Sequence, residues 1–358
     1  MYHSLHPEIE LFYFRNIRYI MHKAFNDNIR IDKNSIRTLI KGDINISKGF
    51  DDLTKEEIMT LNERLNEIVI GQEEAIEAVS RSIKTYYASN KNKGKPIGVL
   101  FFSGPTGVGK THLAKCLAEL CFGSEKCLIR FDMSEFSERH NAADLVGAPP
   151  GYIGYEKGSH FINKADEIKE GIILFDEFEK AHPDVLNVLL QVFDEGRLTD
   201  KRSGRVINFN NFIFIITSNI GQKESMNVNS PEEKRQIIFS CMKKTFAPEL
   251  INRFDEIVYF LLLTKESCFK IAELELKKII SEKSIETGIE IIFDNQVVEF
   301  IVNKGFDPIF NARHLKRTIK KYFEEPFVDL LLEEKIKKGD KLRFVVFEDS
   351  NEIAFEKI

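Results

Sequence analysis

The octapeptide running from Gly104 to Thr111, Gly-Pro-Thr-Gly-Val-Gly-Lys-Thr, follows directly on the apolar run Ile97 to Phe102, and few folds accommodate that order. The run is β-prone and reads as a strand, whereas Leu113, Leu117 and Leu120 recur at helical spacing on the far side. Between them Gly104, Gly107 and Gly109 let the chain turn tightly enough for successive backbone N–H groups to converge on an anion at the helix N-terminus. The pattern predicts a phosphate cradle built from Gly104, Pro105, Thr106, Gly107, Val108 and Gly109. Lys110 would then reach the β- and γ-phosphates of a nucleoside triphosphate, and the Thr111 hydroxyl would face Mg²⁺. A bare glycine-rich turn is the alternative, and the strand before and helix after argue against it.

Four more short apolar runs follow, separated by helical patterns: Cys127–Asp132, Gly171–Asp176, Asn211–Ser218 and Glu256–Phe260. Strands alternating with helices predict an α/β fold, a parallel five-stranded sheet with helices on both faces. Ligands in such folds bind at the carboxyl ends of the strands. Upstream, Thr54 and Glu57 form a capping box that opens a helical stretch, and Gly71-Gln72 breaks it from a second helix over 73–88. Past residue 261 the pattern becomes a long helix (265–284), a strand (289–293), two further helices and a hairpin pairing 341–347 with 352–357. The chain therefore divides into an N-terminal extension over 1–50, a nucleotide-binding domain over 51–260 and a smaller α+β domain over 261–358.

The 358 residues carry 43% apolar side chains and a net charge of -5, which fits a globular protein and argues against one that coats nucleic acid. No apolar run approaches a membrane span, and Arg15 and Arg18 interrupt any signal-peptide core. Cys116, Cys121, Cys127, Cys241 and Cys268 form no CxxC pair and read as reduced residues of an intracellular protein, in the cytoplasm first and an organelle lumen second.

The run Ile172 to Phe175 ends in two adjacent carboxylates. Beside a phosphate cradle, Asp176 at the strand tip is expected to hold Mg²⁺ and Glu177 to polarise the attacking water. Asn219, after the strand Phe212–Ser218, is placed to position that water or touch the γ-phosphate, with a plain turn residue as the other reading. The stretch Gly147 to Tyr155 holds too many glycines and prolines for a helix or a central strand. It is expected to be an exposed loop offering Tyr152 and Ile153 between Gly151 and Gly154.

GPTGVGKT (104–111), FDMSEF (131–136), GAPPGYIGYEKG (147–158), LFDEFEKAHPDV (174–185), GRLTD (196–200), TSNIG (217–221), PELINRFDEI (248–257) and GFDPIFNARHLKR (305–317) stand in one order. In that order they resemble the Clp family of AAA+ protein unfoldases, and are most similar to the second ATPase ring of the ClpB-type disaggregases. The resemblance implies an ATPase dependent on ATP and Mg²⁺ that assembles as a ring, a hexamer, and threads unfolded or aggregated polypeptide through a central pore. It implies that Val69 and Ile70 line the adenine pocket; His112, directly after Thr111, is expected among the nucleotide-binding residues. Arg253 becomes an arginine finger acting on the neighbouring subunit's γ-phosphate, against an ion pair with Asp255 or Glu256 as the plainer reading. Arg313 becomes a sensor of the nucleotide in its own subunit, although Asn311 stands where the family usually has glycine. Gly151, Tyr152, Ile153 and Gly154 become the pore loop, and Lys201 to Arg205 a second one.

Only one phosphate cradle is present, so a single ring or a fragment of a two-ring ancestor is expected. Residues 220–246 lack the aliphatic-Gly-Phe tripeptide of protease-coupled relatives, which disfavours a ClpP-type peptidase as partner. A co-chaperone or a longer Clp protein is the other partner to consider. A regulatory subunit of a Clp-type protease and an ATP-switched remodelling module stand as alternative functions.

Overall fold

Side chains on successive residues of a strand point to opposite faces, and the central strands of this chain are apolar on both. The computed structural model describes residues 49–89, 94–146, 159–200, 203–226, 228, 230–307, 312–347 and 352–358. Its strands are β1 (Gly98–Ser103), β2 (Leu128–Asp132), β3 (Gly171–Asp176), β4 (Arg197–Thr199), β5 (Val206–Asn208), β6 (Phe212–Ser218), β7 (Glu256–Tyr259), β8 (Glu290–Phe293), β9 (Lys341–Phe347) and β10 (Glu352–Lys357). Five of them form an all-parallel sheet in the order β2-β3-β6-β1-β7. On one face Leu100, Phe102, Ile172, Leu174, Ile213 and Ile215 meet the helices Glu73–Ala88 and Lys110–Phe122. On the other, Phe101, Ile173, Phe175, Phe212, Phe214 and Ile216 meet the helices His160–Ile168, Pro183–Glu195 and Pro231–Thr245.

The second face is largely phenylalanine. Phe214 stacks on Phe175 with ring centroids 6.1 Å apart and takes the edge of Phe193 at 5.1 Å, while Phe161 stacks on Phe209 at 4.9 Å. Rings of this size dominate core energetics, and truncating one such buried Phe to Ala typically costs about 3–5 kcal/mol.

The strands and the Thr54 capping box stand where the sequence predicts them, to within a residue. Thr54 Oγ1 accepts from the Glu57 N–H at 3.2 Å, and Glu57 Oε2 accepts from the Thr54 N–H at 3.0 Å. The stretch it opens is two helices rather than one, Lys55–Met59 and Leu61–Ile68, divided at Thr60. An unpredicted two-stranded ribbon, β4 with β5, follows the Pro183–Glu195 helix. Residues 203–205 of the expected second pore loop lie at its tip, where Arg205 pairs with Asp166. Residues 1–48, Lys201, Arg202 and the expected pore loop Gly151, Tyr152, Ile153 and Gly154 lie outside the described residues.

A smaller C-terminal domain builds on the helix Lys265–Thr287 and a three-stranded mixed sheet, β10-β9-β8. The hairpin β9–β10 is antiparallel as expected, while β8 joins β9 in parallel. Its core closes on Phe323, Phe327 and Phe344. The helical run feeding that core passes through one wide turn, Lys320–Glu324, immediately before Pro326. A residue without an N–H breaks the regular ladder there, and the wide turn absorbs the break. Among the described residues no helix is long and apolar enough to cross a membrane.

Candidate functional site

Three adjacent strands, β3, β6 and β1, end at one edge of the sheet, and each delivers part of the site. The cradle follows β1, Asp176 and Glu177 follow β3, and Asn219 follows β6. The first helical turn after the cradle begins on Gly109, whose φ of 104° lies in the left-handed region, as does the 80° of Gly107. A Cβ on Gly109 would meet nothing within 4 Å, so the hollow in front of the helix N-terminus is open. Gly104 serves a different need: a Cβ there would lie 2.6 Å from Phe260 Cβ, so glycine lets the end of β7 press on the cradle.

Lys110 folds over this hollow. Its ammonium donates to the carbonyls of Gly104 and Pro105, the latter at 2.8 Å, and to Asn219 Oδ1 at 3.0 Å. Burial lowers its pKa to about 8, against the opposing pull of Asp176, Glu179 and Glu177. Asp176 accepts from the Thr217 hydroxyl and from Arg130 at 2.5 Å. Glu177 follows it in a left-handed conformation, φ 54°, and pairs with Lys180. Thr217 also takes the Glu177 N–H at 3.4 Å, and the Asn219 N–H donates to Glu179 Oε1 at 3.3 Å.

Lys110, Asp176, Glu177 and Asn219 open on one cavity of about 670 Å³. Its polar end is lined by Pro105, Thr106, Gly107, Val108, Gly109, Lys110, Thr111, Arg130, Asp176, Glu177 and Asn219. Its apolar end is lined by Ile68, Val69, Ile70, Leu263, Ile271, Leu274 and Leu315, and His112 stands there too. Burial first, then the charge of Lys316, pushes the His112 imidazole below its ordinary pKa, which favours a neutral ring. Lys316 and Glu275, paired at 2.8 Å, close the far wall. An apolar slot leading to an amide-rich hollow that holds Lys110 matches a flat base joined to phosphates. The Thr111 hydroxyl and the Asp176 carboxylate are hard oxygen donors on the same cavity, a set suited to Mg²⁺.

Arg253 is placed elsewhere, and the Arg313 side chain is not among those described. Arg253 does not line the cavity; it pairs with Asp194 at 2.9 Å, and its buried Nε finds no hydrogen-bond partner among the described residues. Neither acid named for it in the plainer reading is the partner: Glu256 holds Arg81 at 2.5 Å, and Asp255 accepts from the Val99 N–H at 2.7 Å. Arg313 sits in the short helical turn Ala312–His314, with its neighbour Ala312 on the cavity wall; its own side chain is not among those described. Sequence reasoning misses Arg130 and Thr217: Thr217, next to last in β6, offers a strand-end signal, whereas Arg130 sits in the middle of β2 and offers none.

Residues 95–257 match the family model of an AAA domain (Cdc48 subfamily), residues 263–344 that of the C-terminal, D2-small domain of ClpB protein, and residues 48–131 that of Torsin. The chaperone protein ClpB of Helicobacter hepaticus is 41% identical over 292 residues, which make up 82% of this chain and 34% of that protein. The ClpB of Meiothermus ruber is 42% identical over 292 residues, 80% of this chain and 34% of that protein. The ClpA homolog of Guillardia theta, an ATP-dependent Clp protease ATP-binding subunit, is 40% identical over 299 residues, 80% of this chain and 36% of that protein. The chain spans about a third of the length of the curated relatives it matches.

Proposed function

Because the chain belongs to the Clp family of AAA+ proteins, with an AAA domain followed by a ClpB-type D2-small domain, we propose that it is an ATPase that works on polypeptides as a ring-forming unfoldase or disaggregase. The observation that carries this reading is the convergence of Lys110, Asp176, Glu177 and Asn219 on one cavity whose apolar end includes residues of the D2-small region. Residues 51–260 act as the nucleotide-binding domain and 261–358 as the domain that closes on it. The separate apolar clusters of the two support that boundary, with Phe260 in one and Leu263 in the other.

In this reading ATP places its base against Val69 and Ile70 and its phosphates on the amides of the cradle. Lys110 exchanges its three neutral acceptors for phosphate oxygens. Thr111 and Asp176 would hold Mg²⁺, which supplies charge neutralisation to the phosphates when bound. Glu177 releases Lys180 and polarises the attacking water, and Asn219 orients it. Arg253 acts from the neighbouring subunit of a hexamer, where positive charge delivered to the transition state accelerates hydrolysis. Arg313 reports on the nucleotide from the D2-small side. Tyr152, between Gly151, Ile153 and Gly154, grips an extended chain in the pore. The cytoplasm is the proposed compartment.

A second reading, a regulatory subunit of a Clp-type protease, is favoured by the Guillardia theta relative, an ATP-binding subunit of a Clp protease, and opposed by the missing docking tripeptide in 220–246. One experiment tests the lead: hydrolysis of ATP and unfolding of a fluorescent substrate by the full chain and by Tyr152→Ala. The variant should keep most of its ATPase rate and lose unfolding. Equal unfolding by the two proteins would sink the threading model, and co-sedimentation with a peptidase ring would favour the protease subunit.

A further inference from the structure

In sequence Gly71-Gln72 is only a break between two helices, yet in the fold it joins three parts of the site. Gln72 is 3% exposed, and both ends of its amide are used. Nε2 donates to the Val108 carbonyl in the cradle at 3.1 Å and to the Leu261 carbonyl at 2.9 Å, and Oε1 accepts from the Leu261 N–H at 3.0 Å. The side chain therefore pairs with Leu261 as a backbone neighbour would, while its remaining donor hydrogen is fixed to the cradle.

Leu261 lies in the link between β7 and the helix Lys265–Thr287. That helix carries Ile271, Leu274, Glu275 and Lys278 to the cavity. Leu261 and Leu262 are 44% and 53% exposed, so their own side chains do little to anchor the link, and Gln72 holds its backbone. Gly71 completes the contact. With φ at +75°, it has no room for a Cβ, which would lie 2.7 Å from Ser267 Oγ and 3.2 Å from Leu263 Cδ2. The link and the first turn of the helix thus lie directly on Gly71, one residue after Ile70 of the apolar slot.

We propose that Gln72 is a positioning residue that couples the filling of the phosphate cradle to the angle of the D2-small domain. A buried amide with every one of these bonds made is a rigid strut, because breaking any of them strands a polar group. A shift of the Val108 carbonyl as phosphate enters is passed to Leu261, and through the link to the helix that walls the cavity. Movement of a whole domain about a few link residues is a common way for such shifts to be amplified. The proposal rests on ATP being the occupant of the cavity.

The test uses the full chain and the fluorescent analogue mant-ATP. In the wild type, nucleotide should change the hydrogen-exchange protection of the Leu261 amide. Gln72→Leu, close in volume but without hydrogen bonds, should lose that response and lower kcat by about tenfold, with mant-ATP affinity moving less than about threefold. Gln72→Glu keeps the acceptor for the Leu261 N–H and presents no donor, and it should fall between the two. An unchanged kcat and link response in Gln72→Leu overturns the proposal. So does a parallel loss of affinity and kcat that tracks melting temperature, the mark of a merely structural residue. Should Gln72→Leu not fold, the wild-type exchange result decides, and a Leu261 amide indifferent to nucleotide overturns the coupling. A wild type that binds no mant-ATP overturns the nucleotide reading itself, and the coupling with it.

Discussion

Lys110 Nζ lies 3.0 Å from Asn219 Oδ1, across the tips of two neighbouring strands. Both this contact and those to Gly104 and Pro105 are with neutral oxygens, and burial leaves the Lys110 pKa at about 8.

A triphosphate would raise that value, so binding above pH 8 should take up a proton. ATP affinity should be flat below about pH 8 and weaken by up to about tenfold per pH unit above it. Calorimetry at pH 9 in two buffers of different ionisation heat should detect the uptake in wild type and not in Lys110→Ala. The same lowered value has a stability consequence. Between about pH 8 and the ordinary 10.5 the unfolded chain binds more protons at Lys110, so this group's contribution to stability rises with pH across that window.

Thr217 is 1% exposed and joins both carboxylate residues, donating to Asp176 and accepting from the Glu177 N–H. Thr217→Val keeps the shape and removes the bridge. It should cost about 1–3 kcal/mol of stability and lower kcat with little change in nucleotide affinity, measured by thermal melting and phosphate release. A fully active variant would show that the carboxylates are placed by the strand alone.

Glu177→Gln should bind ATP and lose about 10²- to 10⁴-fold in hydrolysis, the usual range for a group that activates water. Size measurements with ATP should show this variant held in the larger particle. A monomer with and without ATP would overturn the ring and, with it, any role for Arg253 between subunits.

Arg253→Ala should lower hydrolysis by about 10³-fold or more if it acts in trans, while leaving ATP binding intact. Mixing it with Glu177→Gln should restore part of the activity, because some interfaces then combine an intact Glu177 with an intact Arg253. No recovery on mixing would place Arg253 in a structural role beside Asp194.

The parallel sheet was legible because each central strand is apolar on both faces and bounded by helix signals. Asp176, Glu177 and Asn219 were legible as polar residues at strand ends. The pairing of β8 with β9 was not, since a parallel partner just over fifty residues away leaves no local mark. The same limit hid the Asp194 partner of Arg253, which comes from a helix 59 residues earlier in the chain. The wall formed by Leu274, Glu275 and Lys316 was equally hidden, because it exists only once the D2-small helices face the cradle. Gln72 shows the opposite case: a visible break in the helical pattern whose purpose depends on residues far along the chain.

Glu177 occupies a left-handed backbone conformation that glycine would adopt without steric strain. A library selected only for heat resistance should therefore enrich Glu177→Gly, and the survivors should be sturdier proteins that no longer turn over ATP. Selection for turnover should restore the glutamate at the expense of melting temperature, so the two pressures pull this one position in opposite directions.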